Sequence, residues 1–181
     1  MFGLAAKWKK PRPDRLTRLA GAIEAIGEQD RKLVEEIAAV ERLRAKGAVV
    51  LHAMCRDFVD SLNGRLSTPV VVLAPWEYSS ENYRDGGHNL FQINLRGRLL
   101  QVEFTATGEL YSTEDFPRPY ILHGSIRSFN QDFLDHSELD EQSIFCCAKG
   151  ENAVWHYLDR RTYRTGTVTR DFLAAELERL I

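Results

Sequence analysis

The residues with the greatest chemical potential lie in one stretch, Pro75 to His88, which holds Trp76, Glu77, Tyr78, Tyr83, Arg84, Asp85 and His88. Aromatic rings beside an arginine are the side chains enriched where proteins grip partners. The stretch is longer than an ordinary hairpin connection, and long connections are where binding functions concentrate. Trp76, Tyr78, Tyr83, Arg84 and His88 are therefore the candidate binding residues. The competing reading is structural, with Trp76 and the tyrosines covering one end of a sheet. A pocket beneath this loop would take its polar groups from His88, Glu103 or His156.

Other reactive types are weaker candidates. His52 and Cys55 stand three apart, with Asp57 nearby. On a helix they share a face, but a metal ion needs further ligands converging from elsewhere. Cys55 also falls on an apolar face, where an inert buried thiol is the usual outcome. Cys146 and Cys147 are adjacent in a predicted strand, so their side chains point to opposite faces and form no dithiol. Asp135, His136, Ser137 and Glu138 combine acid, base and nucleophile types. A catalytic triad is assembled in space and not from neighbours, so this run reads as a solvated loop. No phosphate loop, dinucleotide fingerprint, zincin motif or nucleophile elbow occurs. No catalytic residue, metal site or cofactor is assigned.

The elements that must position these residues begin with a long helix. Pro13 suits a first helical turn, and Asp14 places a negative charge where the helix dipole favours it. Good helix formers then run without proline to Leu62, and Asn63-Gly64 supplies the stop. Along this helix Leu16, Leu19, Ile23, Ile26, Leu33, Ile37 and Val40 repeat in alternating steps of three and four. So narrow a stripe is a seam for another helix. Asp30 and Arg44 fall on the same heptad position and Gly47 on the other. A parallel pair would bring the two Asp30 side chains together, whereas an antiparallel pair centred near Ile37 would set Asp30 against Arg44. The antiparallel arrangement is preferred. After Gly47 the stripe widens through Val49, Leu51, Met54, Cys55, Phe58 and Leu62, as expected for a helix lying on a sheet. A continuous helix of about 50 residues would span roughly 75 Å. The remaining chain would form a body with a radius of gyration of only about 13 Å. The alternative is a break at Gly27, which would fold the first segment back as a helical hairpin.

Beyond Thr68 the period becomes that of strands. Val70 to Leu73 is a buried run, and Asn89 to Leu95 alternates, with Phe91, Ile93 and Leu95 on one face. Arg96-Gly97-Arg98 signals a tight hairpin, answered by Leu100, Val102 and Phe104. Thr107-Gly108 suggests another turn, and Tyr120 to Phe129 another strand. The polar run Ser128 to Gln142 has room for a short helix. Ile144 to Ala148 and Ala153 to Leu158 are strands joined at Gly150-Glu151-Asn152, and a short edge strand follows before Thr167. Thr169 caps a final helix whose buried stripe is Phe172, Leu173, Leu177, Leu180 and Ile181. The predicted fold is α+β: a long N-terminal helix, an antiparallel sheet of about five to seven strands, and a C-terminal helix. The expected divisions are a basic arm over 1–12, a helical segment over 13–64 and a sheet domain over 65–181.

Bulk composition narrows the function classes. Of 181 residues, 44% are hydrophobic and 28% charged, ordinary values for a globular chain with a real core. A net charge of -2 gives no bulk case for nucleic acid or an anionic membrane. Charge is nonetheless uneven: residues 1–18 carry six basic side chains against Asp14, and residues 101–151 carry ten acidic against three basic. Three cysteines without a framework fit a reducing compartment, and no apolar run reaches the ~20 residues of a membrane span, so a cytoplasmic location is expected. The reading is a non-enzymatic protein-interaction module, self-associating as a homodimer through Leu16, Leu19, Ile23, Ile26, Asp30, Leu33, Ile37, Val40 and Arg44. One alternative is a small-ligand-binding protein or enzyme with its pocket under the 75–88 loop. Another is tethering to nucleic acid or a membrane through the basic N-terminal arm.

Overall fold

The computed structural model describes residues 14–130 and 140–181. Helix α1 (Arg15–Asn63) is continuous through Gly27, so the hairpin alternative does not occur. Asp14 caps it, its Oδ1 accepting from the Thr17 amide at 2.6 Å. That bond holds the Asp14 carboxyl below its usual range. The chain divides into two units, Met1–Ala39 and Val40–Ile181, with the boundary inside the helix.

In the second unit, seven strands form one antiparallel meander in sequence order: β1 (Val71–Ala74), β2 (Asn89–Leu95), β3 (Arg98–Tyr111), β4 (Tyr120–Asn130), β5 (Asp140–Lys149), β6 (Asn152–Asp159) and β7 (Arg164–Thr167). Helix α2 (Arg170–Glu178) closes the chain, with Thr169 Oγ1 accepting from the Phe172 amide. The α+β architecture is thus as the periodicities predict. Among the described residues no helix is long and apolar enough to cross a membrane.

One face of the sheet meets the helices. Leu51, Cys55, Phe58 and Val59 of α1 and Leu173 and Leu177 of α2 are buried with Phe91, Ile93, Leu100, Val102, Phe104, Ile126, Ile144 and Trp155. Fully burying one such side chain contributes about 1.5–3 kcal/mol. Gly47 lets α1 approach closely: a Cβ there would stand 2.8 Å from Cys146 Sγ. Its carbonyl accepts the Trp155 indole N–H at 2.8 Å. Gly124 serves the sheet in the same way, since a Cβ there would fall on the Glu103 carbonyl oxygen and 2.7 Å from Phe104 Cβ.

The hairpin between β2 and β3 is a two-residue turn, with Arg96 (φ 52°) and Gly97 (φ 88°) both left-handed. That pair of conformations matches the twist of the flanking strands. Thr107-Gly108 is not a turn. Strand β3 runs through it to Tyr111 with a shift of register between Ala106 and Tyr111, and the buried Thr107 hydroxyl donates toward the Tyr120 and Ile121 carbonyls. At the other end of α1, Asn63 does more than stop the helix. Its Nδ2 donates to the Val71 carbonyl at 2.8 Å, and its Oδ1 accepts from the Val70 and Val71 amides at 3.1 Å. Of the run 128–142 expected to hold a short helix, 128–130 belong to β4 and 140–142 to β5; the remainder, with Asp135-His136-Ser137-Glu138, is in residues 131–139, outside the described residues, as is the basic arm over 1–12.

Candidate functional site

The loop between β1 and β2 is tied into the fold at every stage. Tyr78 stacks on His52 of α1 at 5.4 Å and meets the Phe91 ring edge-on at 4.9 Å. Burial pushes its phenol up to about 12. His52 Nε2 lies 2.8 Å from the Pro75 carbonyl oxygen, which can only accept, so Nε2 carries the proton. Tyr83 donates to Asp85 Oδ1 at 2.9 Å, and burial together with that carboxylate raises its phenol further. The buried Asn89 binds the loop from the sheet side. Its Oδ1 accepts from the Arg84 amide at 3.0 Å and from the Tyr78 hydroxyl, and its Nδ2 donates to the Arg84 and Gly87 carbonyls. Tyr78 and Tyr83 are therefore packed against the core as structural cover. Trp76 remains 45% exposed and carries the Arg56 guanidinium 4.7 Å above its ring. Arg84 is exposed. Of the five candidate binding residues, Tyr78 and Tyr83 are partly buried against the core, while Trp76, Arg84 and His88 are exposed.

Arg44 corrects another expectation. It does not belong to a seam between chains, because it is buried within its own unit. Its Nε donates to the Ile121 carbonyl at 3.2 Å and its Nη2 to the Thr107 carbonyl. Nη1 meets both Asp85 carboxylate oxygens at 3.2 Å. The sheet supplies these acceptors where the register shift after Ala106 leaves carbonyls without a ladder partner, which a buried guanidinium requires. Val40 likewise packs against its own core. The Asp30–Arg44 pairing that favoured an antiparallel dimer centred near Ile37 has therefore lost one partner.

The rest of the stripe is bare. Leu16, Leu19, Ile23, Ile26, Leu33, Val34 and Ile37 are 51% to 75% exposed, and Asp30 lies exposed among them. Val34 is an addition to the sequence-predicted set, sitting beside the strict heptad positions.

On the sheet face away from the helices, a groove of about 410 Å³ opens. His88 and Glu103 both line it, but His156 does not, and of residues 75–88 only His88 does. Glu103, Ser125 and Ser143 stand in one register row across β3, β4 and β5. His88 Nδ1 lies 2.7 Å from Glu103 Oε1, and Arg127 spans Glu103 Oε2 at 3.6 Å and Glu141 Oε1 at 3.5 Å. Arg160 Nε donates to Ser143 Oγ at 3.0 Å. The floor beside them is apolar: Phe145 stacks on Phe116 at 4.3 Å, with Tyr120, Cys147 and Leu158 in the same small cluster. Ser125, Arg127, Glu141, Ser143 and Arg160 are among the groove residues that sequence reasoning missed. The alternation of β3 and β4 could have placed Glu103 and Arg127 on one face, but the strand pairing that unites them is not local.

The thiols are poor nucleophiles. Burial pushes Cys55 up to about 12, raises Cys146 further beside Cys147, and raises Cys147 itself. Cys146 faces the main core and Cys147 the groove-side cluster, the opposite orientations that adjacency in a strand dictates. Among the described residues no three His, Cys, Asp or Glu side chains are placed to hold a metal ion. No protein-family model, curated protein or solved structure matches the chain.

Proposed function

We propose that this protein is a non-enzymatic interaction module that self-associates as a homodimer through the first half of α1. The observation that carries the reading is the row of seven large apolar side chains left at least half exposed between Leu16 and Ile37. Burying each fully is worth about 1.5–3 kcal/mol, so a bare helix of this kind is stabilised by a second apolar helix. The narrowness of the stripe matches a helix partner and not a sheet.

The partner is a second copy, packed antiparallel about a centre near Glu28. That register sets Leu19 against Ile37 and Ile23 against Leu33. It also lays Arg15 and Arg18 toward Glu35, Glu36 and Glu41 of the other copy, whereas a parallel pair would align like charges. Asp30 then opposes Ile26, a polar intrusion that lowers stability and disfavours slipped registers. Light scattering on the purified protein should give twice the chain mass. Replacing Ile23 and Ile37 by Asp should give monomers that retain the folded sheet. A wild-type monomer at all accessible concentrations would overturn the reading.

A further inference from the structure

The groove on the outer face of the sheet has the chemistry of a ligand site of its own. Its volume of about 410 Å³ lies within the range of small-molecule pockets, roughly 300–1,000 Å³. Its floor row, Glu103, Ser125 and Ser143, is carried on three neighbouring strands and not on loops, so its geometry is pre-organised. Both serines are at least nine-tenths buried.

The charge balance restricts the occupant. Arg127 and Arg160 face Glu103, Glu141 and Asp115, close to neutrality. Glu103, Arg127 and Glu141 are already joined as ion pairs, with the His88 imidazole against Glu103. At Glu103, Arg127 and Glu141 an ionic ligand would have to displace a partner and strand its counter-charge in a half-buried site, which is costly; Arg160, held by the Ser143 hydroxyl, is the exception. A neutral hydroxylated ligand has no such conflict. A guanidinium has five N–H donors and a carboxylate about four lone-pair positions, so each paired group keeps capacity to spare. Hydroxyls donate and accept at once, and can bridge Glu103 or Glu141 to Arg127 while Ser125 and Ser143 contribute from below. The edge of Phe145 and the side of Leu158 give the C–H faces of such a ligand an apolar surface.

We propose that this groove binds a small neutral polyol of monosaccharide size. The test is an amide NMR titration of the full chain with D-glucose, D-galactose, D-mannose and N-acetyl-D-glucosamine. L-glutamate, inorganic phosphate and putrescine serve as ionic comparisons. The expected result is saturable shifts at Ser125 and Ser143 with at least one sugar and none with the ions. Ser125→Val, which fills the floor and removes a hydroxyl, should weaken that sugar about tenfold. Should this variant lose its fold by circular dichroism, Arg160→Met is read in its place. Absence of saturable shifts with every sugar overturns the proposal, as does saturation by an ionic probe alone or unchanged affinity in the folded variant.

Discussion

Arg44 grips Asp85 through both carboxylate oxygens at 3.2 Å, joining the long helix to a loop 41 residues further along the chain. The same guanidinium ties down the Thr107 and Ile121 carbonyls. One side chain thus fixes the helix, the β1–β2 loop and the irregular stretch of β3 to one another.

Removing it should be costly. Arg44→Ala removes the cation from Asp85 and a donor from the Thr107 and Ile121 carbonyls, of which Ile121 keeps the Thr107 hydroxyl, and should lower unfolding free energy by about 2–4 kcal/mol. Asp85→Asn should cost less, because Asp85 is partly solvated. Urea denaturation of both variants checks the order, and equal midpoints would show that the clamp has no energetic role.

The orientation of the proposed dimer can be read by cross-linking. The natural thiols Cys55, Cys146 and Cys147 are buried, so a cysteine placed at Leu19 or Ile37 is the accessible one. Mixed Leu19→Cys and Ile37→Cys chains should oxidise to the heterodimer in preference to either homodimer. Homodimers in excess would indicate parallel packing.

Those natural thiols should themselves be sluggish. Burial raises all three above the ordinary thiol value. At neutral pH the native protein should react with a disulfide reagent only as fast as it opens, and at once in urea. Rapid stoichiometric labelling of the native protein would contradict the packing around Cys55 and Cys146.

Acidification should weaken the fold through His156. Burial first, and Arg118 second, hold this imidazole below its usual value. The unfolded chain takes up the proton near pH 6.5 and the folded chain only at lower pH. The His156 contribution to stability is therefore complete above about 6.5 and is lost as pH falls through the depressed folded value. Urea midpoints of the wild type and His156→Gln should converge on acidification. Parallel curves would remove His156 as the cause.

The fold was largely legible because its signals are local. The alternation of Asn89–Leu95, the Arg96-Gly97 turn and the Thr169 cap each lie within a few residues of what they specify. Cys146 and Cys147 pointed to opposite faces for the same reason. The site was far less legible. Heptad phase alone put Arg44 on a seam, since nothing near it in sequence announces that Asp85, Thr107 and Ile121 will surround it. Tyr78 and Tyr83 looked like binding residues because ring chemistry is the same in a hot spot and in a cover over the core. What separates the two is Asn89, a single buried amide that turns the loop inward. The groove was half visible in His88 and Glu103 and incomplete without Arg127, which arrives through strand pairing, and Arg160, in the turn after β6.

Asn63 has a consequence for how the protein can assemble. A sheet edge with bare amides and carbonyls is a template on which other chains can polymerise. At β1 the Asn63 side chain already occupies the Val71 amide and carbonyl, acting as one residue of an eighth strand. Strand addition at that edge is therefore obstructed at Val71 by the same residue that ends the helix. Asn63→Ala would free the Val71 amide and carbonyl to pair with another chain.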